Sequence, residues 1–259
     1  MIANCHTHTA RCRHAVGTQR EYVEKAIEAG FRVLGFSDHS PYPFDNGYYS
    51  TFRMFPEELE DYVRETLDLK AEYRRDIDIR LGLEAEYYPK HFEDLLRLCE
   101  PYPIEYLILG QHAIHNEYDG TFSGWPTDDE TVLEAYCAQA AEALRTGRFL
   151  YIAHPDIIRF TGDEQTYEKH MRPLCALLRS LGIPAEINLL GLLENRHYPN
   201  PLFWKIAGEE KVDAVIGADA HSPAKLSLPE CEERAAALAA DFGVRVIPDP
   251  LEKNQTSFL

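Results

Sequence analysis

The sequence predicts an α/β fold in which a parallel sheet is covered by helices and closes into a barrel. Three observations carry this expectation. Short apolar runs recur along the chain, stretches with helical spacing separate them, and histidines and acids gather where the runs end. Alternation of strand and helix is the mark of a parallel sheet with helical crossovers, and seven or eight such repeats suffice to close it. An open, doubly wound sheet is the alternative.

The first run, Ile2 to Cys5, precedes a helical stretch from Gln19 to Ala29, and the second, Val33 to Phe36, precedes one from Pro56 to Arg74. Further runs follow at Ile79 to Leu83, Tyr106 to Leu109, Phe149 to Ala153, Ala185 to Ile187, Ala214 to Ile216 and Val244 to Ile247. Each is too short for a buried helix and reads as a buried strand. Helical spacing returns at Asp128 to Arg145, Tyr167 to Leu181 and Cys231 to Asp241. The acidic clusters at Glu57, Glu58, Glu60 and Asp61 and at Asp128 to Glu130 suit helix N-termini, where the backbone dipole favours negative charge. The irregular region Ser40 to Phe55 is rich in Pro, Tyr, Phe and Gly and is expected to pack over a pocket.

No repeat, low-complexity tract or linker divides the 259 residues, so a single domain over 1–259 is expected. With 45% hydrophobic and 27% charged residues, the composition is that of a globular chain able to bury a core. A net charge of -17 opposes binding to an extended nucleic acid, while a small phosphorylated molecule can still be held by local cations. The six cysteines lack CxxC spacing and are read as reduced. Neither a membrane-spanning run nor a targeting segment is visible, and a cytoplasmic location is expected.

Six strand ends carry candidate ligands: His6 and His8, Asp38 and His39, Glu84, His112, His154, and Asp219 with His221. In a parallel barrel these ends converge on one face. His6 and His8, two apart on an extended end, point the same way and can share an ion. Imidazole with carboxylate suits zinc, iron or manganese, and Glu84 has two oxygens with which to bridge neighbouring ions. His91 and His170 fall in helical stretches and are set aside; His115 and His197 are left undecided.

The motifs HTHTARCRH at 6–14, SDHSPYPF at 37–44, GLEAEY at 82–87, GQH at 110–112, AHPD at 153–156 and GADAHSP at 217–223 resemble those of the polymerase and histidinol phosphatase (PHP) family, especially its monofunctional phosphatase branch. The resemblance implies a distorted (β/α)7 barrel with two or three divalent ions at the strand C-termini, leaving the eighth run outside. It implies that His6, His8, Glu84 and Asp219 hold one ion, Glu84, His112 and His154 a second, and His14, His39 and His221 a third. Arg159 and Arg196 occupy places used to grip phosphate, while Leu189 stands where a small or hydroxyl residue is more usual. Asp38 and His221 are the candidate catalytic residues: the third ion or Asp38 would assist the departing alcohol, Asp38 more readily orienting a ligand histidine. The implied activity is hydrolysis of L-histidinol phosphate in histidine biosynthesis. Another small phosphate ester, a metal-binding regulatory module and an amidohydrolase are the rival expectations.

Overall fold

The computed structural model describes residues 1–252. Seven parallel strands form the sheet, in the order β1 (Ala3–Asn4), β2 (Val33–His39), β3 (Asp78–Ala85), β4 (Tyr106–Leu109), β7 (Tyr151–Ile152), β8 (Ala185–Asn188) and β9 (Ala214–Gly217). The intervening β5 (Ala113–Ile114) and β6 (Thr121–Phe122) make a separate antiparallel hairpin. Around the sheet lie α1 (Gln19–Glu28), α2 (Leu59–Glu72), α3 (Phe92–Cys99), α4 (Glu130–Arg145), α5 (Glu164–Leu181), α6 (Leu189–Leu193), α7 (Pro201–Glu209) and α8 (Pro229–Asp241).

The sheet curls until its first and last strands meet just beyond their regular ends. Thr7 and Ala220 form a lone parallel bridge, with His8 N donating to Ala220 O at 3.0 Å and Ala220 N to His6 O at 3.3 Å. Below it the Asn4 side chain accepts from Ala218 N at 2.9 Å. This narrow seam makes the structure a nearly closed seven-stranded barrel, as expected. The eighth apolar run contributes only a bridge between Val246 and Ala214, at the start of β9, and lies outside the barrel.

Side chains alternate across each strand, so one residue in two faces the barrel interior. In β3 the outward set Leu81, Leu83 and Ala85 joins the large core beneath the helices, leaving Gly82 and Glu84 to the inside. Tyr106 and Ile108 belong to a smaller cluster with Ala3, Cys5, Tyr151 and Val215. The Tyr106 hydroxyl lies 3.1 Å from both Cys5 O and Phe36 O. Its ring takes the space a Cβ on Gly35 or Gly82 would need, with ring atoms 2.9 and 2.3 Å from those positions. Packed side chains thus fill the lower barrel, and polar groups fill the upper end.

The helices are held by local chemistry. Thr18 and Glu21 cap α1 reciprocally, while Asp129 and Asp163 accept from the first turns of α4 and α5. The region 40–55 carries no regular element, and its Tyr42 and Met54 are buried in the core. All six cysteines are buried and free.

Candidate metal centre

Glu84, next to last in β3 and 1% exposed, is the hub of the upper barrel. Its Oε1 is 3.0 Å from His154 Nε2 and 3.5 Å from both His6 Nε2 and His112 Nε2. Its Oε2 is 3.0 Å from His39 Nδ1 and 3.5 Å from His8 Nε2. Five imidazoles from four segments therefore face one carboxylate, three on one oxygen and two on the other. Asp219 stands beside them, with Oδ1 3.1 Å from His8 Nε2 and 3.5 Å from His6 Nε2. His154 and Asp219 have positive φ, 29° and 50°, an uncommon conformation for non-glycine residues that collects at functional sites.

At the mouth, His14 Nε2 and His221 Nε2 are 2.9 Å apart. The other ring nitrogen of each faces a backbone carbonyl, His14 Nδ1 toward Cys12 O at 2.7 Å and His221 Nδ1 toward Asp219 O at 2.9 Å. A carbonyl can only accept, so each Nδ1 carries the hydrogen and each neutral ring turns a lone pair toward the other. Two facing lone pairs call for a cation between them. Deeper in, His6 Nε2, His39 Nδ1 and Glu84 Oε2 are buried without a hydrogen-bond partner. Triads such as His6–His8–Asp219, His6–Glu84–His154 and His14–His39–His221 each bring their donor atoms within 4.8 Å of one another. This donor set fits divalent metal ions.

The electrostatics agree. Burial would push the Glu84 carboxyl up, yet His112, His6 and His39 hold it well below the usual range. Burial would lower His6, but Glu186, Asp219 and Glu84 raise it well above the ordinary imidazole value. His8, pulled down by burial and up by Asp219 and Asp38, comes to about 9. Burial takes His39 down to about 4 and His221 to about 3. Without ions the carboxylates take their counter-charge from protonated imidazoles; bound cations would supply it directly.

Acids behind the imidazoles orient them. Glu186 Oε1 accepts from His6 Nδ1 at 2.7 Å, and its Oε2 accepts from His154 N at 3.0 Å and from Asn188 Nδ2 at 3.1 Å. Glu86 Oε1 accepts from His112 Nδ1 at 2.8 Å. Asp38, fully buried, lies behind His8 with Oδ1 3.4 Å from Nδ1 and accepts from the backbone of Thr9 and His39. Sequence reasoning did not single out Glu186 or Glu86 as orienting residues. Their signal was present, since Glu186 lies in the one barrel strand that had no candidate and Glu86 shares the face of Glu84 two residues earlier.

The cluster opens into a cleft of about 430 Å³ whose lining includes His14, His39, Phe52, Phe122, Ile157, Leu190, Glu194, Arg196, Tyr198, His221 and Lys225. Arg196 is 2.7 Å from Glu194 Oε2 and donates to Tyr198 Oη at 2.6 Å; Lys225 Nζ is 2.9 Å from Glu194 Oε1. Arg159 is exposed and is not among the lining residues, although it lies near His197 and only two residues beyond Ile157. Leu189 is fully buried, and its neighbour Leu190 faces the cleft. Of the histidines set aside or undecided, His91 meets Tyr118, His170 meets Glu130, His197 faces Ile157 O and His115 is exposed.

Fold and site together define a barrel protein with an imidazole–carboxylate centre suited to several divalent ions. The sequence matches the PHP domain over residues 4–189, and the chain belongs to that family. It is 30% identical over 240 residues to a probable histidinol-phosphatase of Deinococcus radiodurans, covering 87% of this chain and 88% of that one. It is 24% identical to the histidinol-phosphatase of Bacillus subtilis, covering 83% and 92%. Among solved structures, the histidinol phosphate phosphatase of Lactococcus lactis, complexed with zinc, L-histidinol and phosphate, aligns with a TM-score of 0.71 at 18% identity over 95% of both chains. A putative histidinol phosphatase of Listeria monocytogenes aligns at 0.69 and 20% identity, covering 89% of this chain and 99% of that one.

Proposed function

We propose that the protein is a phosphomonoesterase that hydrolyses L-histidinol phosphate to L-histidinol and phosphate, using two or three divalent ions. The observation that carries this reading is the convergence on Glu84 and Asp219 of seven histidines, beneath a cleft rimmed by Arg196 and Lys225. Relatives named histidinol-phosphatase that align over most of their length support the substrate.

His6, His8, Glu84 and Asp219 would hold one ion, Glu84, His112 and His154 a second, and His14, His39 and His221 a third. Zinc, iron and manganese all accept this donor set. When bound, such ions lower the pKa of water toward about 7 and draw negative charge off phosphoryl oxygens. Arg196 offers the phosphate a planar fork at the cleft wall, and Lys225 adds a point charge beside it. Arg159 would have to swing inward to join them. Asp38 does not line the cleft, and its place behind His8 suits orientation better than proton donation to the departing alcohol. His221 does line the cleft, but its Nδ1 hydrogen faces Asp219 O and its Nε2 lone pair would go to the third ion, so it would act at that end of the reaction as a ligand of that ion. Phe52, Phe122, Ile157 and Leu190 supply apolar walls that shed water around the ester.

A second reading, cleavage of another small phosphate ester by the same centre, draws on Glu194. This acid of the rim is engaged by both Arg196 and Lys225, so the cationic amine of histidinol phosphate would compete with them for it. The test is phosphate release from histidinol phosphate beside a panel of nucleotide and sugar phosphates, after loading with zinc, manganese or iron in turn. The expected outcome is a strong preference for histidinol phosphate, lost in His6→Ala and His112→Ala. Preference for another ester would replace the substrate, and inactivity with every metal would overturn the catalytic reading.

A further inference from the structure

Arg53 is among the largest fully buried side chains of the protein, 1% exposed, and it comes from the irregular 40–55 region rather than from a strand end. Its guanidinium is held on every side. Nη1 donates to Ser40 O at 2.7 Å, Nε donates to Glu117 Oε2 at 3.0 Å, and Nη2 reaches both Glu117 Oε2 and, at 3.0 Å, Glu86 Oε1. The ring of Phe52 lies 4.6 Å from its Cζ, and that of Tyr42 5.5 Å. An arginine is buried so completely only when each charge is matched, and here two buried carboxylates match it.

The Glu86 oxygen that faces Arg53 is the same one that accepts from His112 Nδ1 at 2.8 Å. A carboxylate can only accept, so this contact places a hydrogen of His112 on Nδ1 and reserves Nε2, which points toward Glu84, for an ion. On the other side, Phe52 lines the cleft and meets His39 edge-on at 5.5 Å. We propose that Arg53 is a positioning residue: through Glu86 it fixes the tautomer and angle of His112, and through the adjacent Phe52 it ties the 40–55 region to the cleft wall. It is not among the residues that line the cleft, and its partners Ser40, Glu117 and Glu86 are not candidate ligands.

The inference rests on His112 acting as a metal ligand, but its first test needs neither metal nor substrate. Imidazole ¹⁵N shifts of His112 in chelator-treated protein, followed upward in pH until the ring is neutral, report which ring nitrogen carries the hydrogen. The expected result is hydrogen on Nδ1 in the parent and loss of that preference in Arg53→Met. An Nε2-protonated ring in the parent, or an unchanged ring in the variant, overturns the proposal whatever the enzyme hydrolyses.

Arg53→Met strands two buried carboxylates and can unfold the chain. Arg53→Met with Glu117→Gln removes a cation and an anion together and keeps the question open to test. Outer partners of metal-bound histidines typically matter by about 10–100-fold in metal affinity. Chelator competition on the folded double variant is expected to show one class of zinc site weakened by that order and the others unchanged. Adding Glu86→Ala should then weaken it no further than Glu86→Ala alone. Wild-type affinity at every site, or fully additive losses, counts against a path through Glu86. A shifted tautomer in a protein that does not hydrolyse histidinol phosphate would sink the substrate and leave the role of Arg53 standing.

Discussion

Four imidazoles of the centre are governed by what stands behind them. His6 is turned by Glu186, His112 by Glu86, and His14 and His221 by backbone carbonyls, so these rings are oriented before any ion arrives. One buried acid nearby has a different character. Asp156 accepts from Asn200 N, linking the turn after β7 to the start of α7, and burial pushes its carboxyl up to about 7. The unfolded chain releases this proton near pH 4, whereas the folded chain holds it until about 7. The resulting stabilisation is complete below pH 4, declines as the pH rises, and is gone above 7. Asp156→Asn removes the cost of burying the charge while keeping an acceptor for Asn200 N. In chelator-treated protein it should raise Tm at pH 8, by an amount equivalent to a few kcal/mol, and change little at pH 4. An equal Tm difference at the two pH values would refute that account.

At the level of strands, the upper barrel works because adjacent strands leave room for each other's side chains. Gly110, just past β4, sits where a Cβ would fall 2.0 Å from Glu84 Oε1, and Gly217, the last residue of β9, where one would fall 1.7 Å from Glu186 Oε1. Gly110→Ala should therefore displace Glu84 without unfolding the barrel. We expect metal content measured by mass spectrometry to fall by at least one ion and hydrolysis to drop by about 10²-fold, with circular dichroism unchanged. Full metal occupancy in this variant would show that Glu84 has more freedom than its surroundings suggest.

The sequence made the strands legible where they are apolar and hid them where they become polar. The second apolar run stops at Phe36, but β2 continues through Ser37, Asp38 and His39 because those residues turn toward the site and its support. Helix α3 is eight residues long, α6 is five, and the β5–β6 hairpin has two residues a side, all too brief for a periodic signal. The ligand candidates were readable because parallel strands convert positions on the chain into positions on one rim. Arg53 was not, since no period governs a side chain reaching inward from an irregular region.

For the whole molecule, stability and metal loading are linked through mass action. Ions that bind only the folded barrel stabilise it by roughly 4 kcal/mol at a thousandfold excess over Kd, which for a domain of this size is a rise of about 10 °C in Tm. Calorimetry with zinc or manganese against chelator should show a shift of that order, and none would mean the centre does not load. The lone Thr7–Ala220 bridge gives this linkage a location. His6 and His8 stand on one lip of that junction and Asp219 and His221 on the other, so ligands shared across it fasten together segments more than two hundred residues apart. Stripping the ions should therefore not soften the barrel evenly. Amide hydrogens of residues 6–8 and 218–221 should exchange first, parting the barrel along one line like an unlatched collar while the strands opposite stay closed.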